Sequence, residues 1–212
     1  ASGIASNFHP RISPDGKTAL FYDRGPTENT SGVWIRPLAG GDATRLGEGY
    51  PGRFSPDGRS IVAVTRSGAG AAGLSLIPVE AGGVRPLPTP GGDVSAPSFA
   101  GPNTLLFVRT EKGGKEVWTM GTDGSGARSL GAAGCDAPIA SPSGSSFLCW
   151  EGQRRRSLFV YPIKLTKGGP GLKLYELPEG RGFVYARWNA AGDRIFAVTR
   201  DRRLLTLDSS SG

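Results

Sequence analysis

Arginine is the residue whose type and spacing could do chemistry in this sequence. Of the 25 basic residues 19 are Arg and 6 are Lys, against 18 Asp plus Glu. Guanidinium forks suit bidentate recognition of carboxylate or phosphate better than ammonium groups do. Their placement is uneven. Arg24, Arg66, Arg109 and Arg200 each follow an apolar run by no more than two residues, and Arg154, Arg155 and Arg156 are consecutive. Arg11, Arg53 and Arg187 each stand two residues before the start of a turn, in Arg11-Ile12-Ser13, Arg53-Phe54-Ser55 and Arg187-Trp188-Asn189. If the chain brings these positions together, they would form a basic surface that binds an acidic peptide, phosphate or another anion. Solvated hairpin loops, with Arg stems covering strand edges, produce the same pattern.

Other chemistry has less support. His9, the single histidine, falls just before the first strand and reads as core or loop packing rather than as a base, so no Ser-His-Asp arrangement is expected. Cys135 and Cys149 are too few for a disulfide framework and read as two free thiols, Cys149 within an apolar run. Asp15, Asp57, Asp123 and Asp193 fall at turns and lack the alternating carboxylates of a calcium loop, so no metal site is expected. No Gly-rich phosphate loop follows a strand, and no cofactor is expected. Trp34, Trp118, Trp150 and Trp188 fall inside the expected strands at blade-packing positions and read as packing residues. The aromatic–basic interleaving of single-strand nucleic-acid binders is missing, which argues against nucleic acid as a partner. No apolar run approaches the roughly 20 residues that span a bilayer.

The positioning elements are strands. The 212 residues include 34 Gly and 17 Pro, too many helix breakers for a helical bundle. The 37% hydrophobic residues in short regular clusters disfavour disorder as well. Ser13-Pro14-Asp15-Gly16 returns as Ser55-Pro56-Asp57-Gly58, and weaker copies begin at Ala100, Ser141 and Asn189. Within each copy Pro presets φ, Asp caps the turn and Gly accepts positive φ, giving a tight hairpin. An apolar run follows every copy, from Ala19-Leu20-Phe21-Tyr22 to Ile195-Phe196-Ala197-Val198. A third strand, a Gly-rich turn and a fourth strand complete the unit. Pro86 fits an outer edge strand, where a missing N–H is tolerated. Four strands per unit of about 43 residues make the blade of a β-propeller. The expectation is an all-β propeller of four-stranded antiparallel blades in one domain, 1–212. Its blades fall at 9–50, 51–92, 95–134, 135–180 and 183–212, and the last lacks its outer strand.

The Ser-Pro-Asp-Gly-Lys/Arg hairpin, followed by a strand and a Gly-Gly turn, resembles the TolB-type, WD-like propeller repeat family over essentially the whole chain. The resemblance implies a ring that usually has six blades and carries no catalysis itself. It also implies a platform for protein binding, as in the Tol system of the bacterial envelope. Such propellers occur C-terminal to bacterial serine/threonine kinases, in winged-helix regulators and in front of prolyl-oligopeptidase-like hydrolases. The Arg- and Gly-rich style here is most similar to the kinase-linked group.

Five visible repeats imply an incomplete ring or a fragment of a six-bladed one, with self-association through open blade faces as a corollary. Ala1 to Ala5 are a poor strand with which to complete the last blade. Loops 23–32, 66–73, 109–116, 151–157 and 200–203 would share one rim. The expected function is a non-catalytic module that binds a protein or acidic peptide at this rim, with an extracytoplasmic bacterial location slightly favoured. The alternatives are an accessory propeller of an enzyme chain and a binder of small anions or glycans.

Overall fold

The structure, a computed structural model, describes residues 8–23, 32–66, 71–151, 155–164 and 169–210. Nineteen strands and no α-helix occur among them. Blade 1 comprises β1 (Phe8–Ile12), β2 (Thr18–Asp23), β3 (Gly32–Pro37) and β4 (Thr44–Gly47). Blade 2 comprises β5 (Tyr50–Phe54), β6 (Ser60–Arg66), β7 (Ala72–Pro78) and β8 (Arg85–Leu87). Blade 3 holds β9 (Asp93–Phe99), β10 (Thr104–Glu111), β11 (Gly114–Gly121) and β12 (Arg128–Gly131). Blade 4 holds β13 (Ile139–Ala140), β14 (Ser146–Glu151), β15 (Ser157–Pro162) and β16 (Leu172–Glu176). Blade 5 has β17 (Phe183–Trp188), β18 (Arg194–Thr199) and β19 (Leu204–Asp208). Strands pair antiparallel in chain order in every sheet; four sheets have four strands and the fifth has three.

The repeated turn works as its residues dictate. In blade 1 the Ser13 hydroxyl donates to Asp15 Oδ1 at 2.5 Å, while Asp15 Oδ1 accepts the Lys17 N–H at 3.0 Å. Ser13 Oγ also accepts the Thr18 N–H at 2.9 Å. Blade 2 repeats all three contacts with Ser55, Asp57, Arg59 and Ser60. Gly16 and Gly58 take φ of 73° and 74°, which an L side chain resists. Blade 5 reaches the same turn with Asn189, whose Oδ1 accepts the N–H groups of Gly192 and Arg194.

Packing between neighbouring blades makes the core. Leu20 and Val33 of blade 1 meet Phe54, Ile61 and Ile77 of blade 2. Val62 and Leu74 of blade 2 meet Phe99, Leu105 and Phe107 of blade 3. Leu106 and Leu130 join Phe147 and Tyr161 across blades 3 and 4, and Leu148 and Leu158 join Phe183 and Ile195 across blades 4 and 5. Among the described residues no buried apolar cluster joins blade 5 to blade 1. The outward side of blade 5 instead leaves Phe196 41% and Leu204 66% exposed.

The expectation of free thiols is corrected. Cys135 and Cys149 form a disulfide with Cα atoms 5.6 Å apart, both fully buried between blades 3 and 4. Cys135 lies in the β12–β13 connection, which folds back onto β14, and the 14-residue spacing did not show that return. Ala1 to Ala5, expected to be a poor strand with which to complete the last blade, lie outside the described residues.

Candidate functional site

The innermost strands β1, β5 and β17 carry Arg11, Arg53 and Arg187 at one level of the ring. Each strand slips register against its partner just before or beside that level: between Phe8 and Arg11, Pro51 and Arg53, and Phe183 and Tyr185. An extra residue of this kind bends the strand and re-aims the side chains that follow. Gly52, next to Arg53, allows blade 3 to approach; a Cβ there would lie 2.6 Å from Pro97 O and 2.8 Å from Val62 O.

Two cavities occupy the channel. One, of about 390 Å³, is lined by Arg11, Arg53, Arg155 and Arg187 together with Tyr50, Trp150, Tyr185 and Asp136. The other, of about 470 Å³, opens toward the repeated turns and is lined by Ser55, Ser141, Ser143 and again Arg53 and Arg187. Arg53 and Arg187 therefore face both.

Charge is concentrated in the first cavity. Burial, followed by the charges of Arg187 and Arg11, pushes the Arg53 guanidinium down to about 9. Burial is also the main cause that lowers Arg11 and Arg187, and in Arg187 the charge of Arg11 adds to it. The Arg187 guanidinium lies 4.3 Å from the Tyr185 ring centroid, a cation–π contact, and its Nη1 donates to Ala186 O at 2.8 Å. Among the described residues no carboxylate forms an ion pair with Arg53 or Arg187. Asp136, the carboxylate in the wall, is held 2.6 Å from Lys115 Nζ.

The rim arginines divide into two kinds. Arg66 and Arg200 are exposed at the ends of β6 and β18. Arg109 is folded inward: its guanidinium lies 4.8 Å from the Trp118 ring centroid, pairs with Glu111 and donates to Gly91 O. Arg156 pairs with Glu176 at 2.7 Å and donates from Nε to Leu177 O at 2.8 Å, which ties β15 to β16. Arg155, assigned to the rim by its sequence position, joins the channel wall 5.3 Å over the Trp150 ring. Arg24 and Arg154 lie outside the described residues.

The structure adds aromatic residues to the site: Tyr50 and Tyr185 were not singled out from sequence, and Trp150 was read only as packing. Tyr50 stacks on Tyr22 with centroids 4.4 Å apart, and Tyr185 underlies Arg187. The register of Tyr185, two residues before Arg187, was a readable signal. The Tyr22–Tyr50 stack pairs residues of neighbouring blades and had none. Trp150 is buried against the cavity with its indole N–H unpartnered among the described residues.

No protein-family profile and no curated protein matches the chain. Solved structures do. The chain aligns to TolB from Acinetobacter baumannii with a TM-score of 0.67 and 17% identity, over 98% of this chain and 55% of that one. It aligns to the β-propeller domain of the trilobed protease from Pyrococcus furiosus at 0.65 and 14%, over 91% and 64%. A puromycin-hydrolysing peptidase of Mycobacterium tuberculosis matches at 0.63 and 14%, over 95% of this chain and 36% of that one. The chain thus spans between about a third and two thirds of the length of these proteins. At such identities the likeness carries the fold alone: the chain is an all-β propeller, similar in architecture to TolB and to these peptidase propeller domains.

Proposed function

We propose that this propeller is a non-catalytic binding module that engages a protein or peptide of acidic character at its arginine-bearing rim. The observation that carries this reading is the coincidence at one end of the ring of exposed Arg66 and Arg200 with the basic mouth of the channel. Arginine at a rim supplies planar, always-charged forks that pair with carboxylates and stack on partner side chains. TolB and the peptidase propeller domain are the context for two versions of the module, a free-standing platform and an accessory of an enzyme chain, including a kinase-linked one. The Cys135–Cys149 bond favours an oxidising, extracytoplasmic setting for either.

The test is fluorescence anisotropy with a Glu/Asp-rich peptide, at two salt concentrations. Binding should weaken about tenfold in the Arg66→Glu/Arg200→Glu double variant, and should fall with salt as surface pairs do. Affinity unchanged by both would remove the rim from the interaction.

A further inference from the structure

The channel cavity differs from the rim in composition and in burial. Four arginines from blades 1, 2, 4 and 5 share a wall of about 390 Å³ with one carboxylate, and that carboxylate is already held by Lys115. Like charges gathered in a partly desolvated space repel one another and lose hydration, so each raises the free energy of the empty site. Such an arrangement is stabilised by an anion that sits among the guanidinium groups. Phe54 and Trp188, the residues after Arg53 and Arg187, are packed into the blade interfaces, which fixes the strand positions from which the forks reach. The Trp150 ring lines the same wall, and its buried indole N–H has no partner among the described residues.

The directions of approach select the anion. A carboxylate offers its lone pairs in one plane and suits a single fork. Forks that come from separate blades around a channel reach a centre from several sides, which matches oxygens arranged tetrahedrally. A second negative charge also compensates more of the wall. The volume lies within the range of small-molecule sites, about 300–1,000 Å³, and exceeds what one ion fills.

We propose that the channel cavity is an oxyanion site that takes a tetrahedral dianion, inorganic phosphate or the phosphoryl group of a small phosphomonoester, on the forks of Arg53 and Arg187. Arg11 and Arg155 complete the positive wall, and Tyr185 holds Arg187 in position from beneath. The site rests on Arg53 and Arg187 inside the channel rather than on Arg66 and Arg200 at the rim, so it holds whether or not an acidic peptide binds those two.

Isothermal titration of the intact chain with inorganic phosphate and with glycerol phosphate, at constant ionic strength set with chloride, tests the assignment. Acetate and the Glu/Asp-rich peptide serve as carboxylate probes. Phosphate or glycerol phosphate should bind with one-to-one stoichiometry, and Arg53→Gln and Arg187→Gln should each weaken binding at least tenfold. Arg53→Lys keeps the charge but removes the fork and should also weaken it, with an unchanged circular dichroism spectrum confirming the fold. Arg66→Glu/Arg200→Glu should leave phosphate affinity within twofold, which separates this site from the rim. Stronger binding of inorganic phosphate than of glycerol phosphate marks the free ion as the ligand, and the reverse marks an esterified one. The proposal is overturned if neither phosphate binds, if their affinity ignores Arg53 and Arg187, or if acetate binds there as well as phosphate does.

Discussion

The positive charge of Arg187 on blade 5 reaches Arg53 on blade 2 across the channel and lowers its affinity for a proton, second only to burial as a cause. Residues from the second and the last blade are thus electrostatic neighbours. Their repulsion is a cost built into the empty ring.

That cost has a sign that pH can check. A cation whose folded value is depressed destabilises the fold while it is charged. The penalty is complete below about 9 and disappears as pH rises toward the ordinary 12.5. Arg53→Met keeps the apolar stem and removes the charge. After discounting for the part of the side chain that water reaches, it should stabilise the protein by about 1–2 kcal/mol at neutral pH. In thermal melts this is a rise of about 3–6 °C, constant between pH 6 and 8 and shrinking above pH 9. A lower Tm for Arg53→Met would show that the arginine is net stabilising where it stands.

The disulfide should contribute measurably to stability. It closes a loop of 14 residues between buried Cys135 and Cys149, for which chain-entropy arguments give about 3 kcal/mol. Melts of the Cys135→Ala/Cys149→Ala variant should fall by about 6–12 °C. Reductant should shift the wild type in the same direction and leave the double variant unmoved. A reductant-insensitive wild type, with free thiols by mass, would show that the bond does not form.

Phe196 and Leu204 stand exposed on the side of blade 5 that packs on no described neighbour. Apolar surface of this kind favours association. Sedimentation should show concentration-dependent self-association of the chain, and Phe196→Lys/Leu204→Lys should abolish it with little change in Tm. A monomer at every concentration would remove open-face contact as a mode of assembly.

Much of the fold was legible because it is local. Ser55, Asp57 and Gly58 make a turn from hydrogen bonds spanning five residues, and nothing distant is needed to form it. Its period then supplied the blades. The column of Arg11, Arg53 and Arg187 was legible for the same reason, since equal register in equal strands gives equal height in the ring. What could not be read was contact between distant parts of the chain. Arg109 and Arg66 look alike in sequence, yet Arg109 turns onto Trp118 and Glu111 while Arg66 stays exposed. Arg155 leaves the rim for the channel wall, and Cys135 finds Cys149 only when a loop doubles back.

Among the described residues no buried apolar cluster joins blades 5 and 1, and this seam has a kinetic consequence. Where each unit is held only by its neighbours, stability adds along the array, and a unit with one partner opens more readily than a unit with two. Among the described residues blades 1 and 5 each have one apolar interface, whereas blades 2, 3 and 4 have two. Amide hydrogen exchange should therefore be graded rather than uniform, slowest in β10 and β14 and fastest at β1 and β19. Arg11 and Arg187 lie on the two blades that open first. The channel cavity thus sits on the part of the molecule that breathes, and a ligand bound there would bridge the two loose ends and slow their opening.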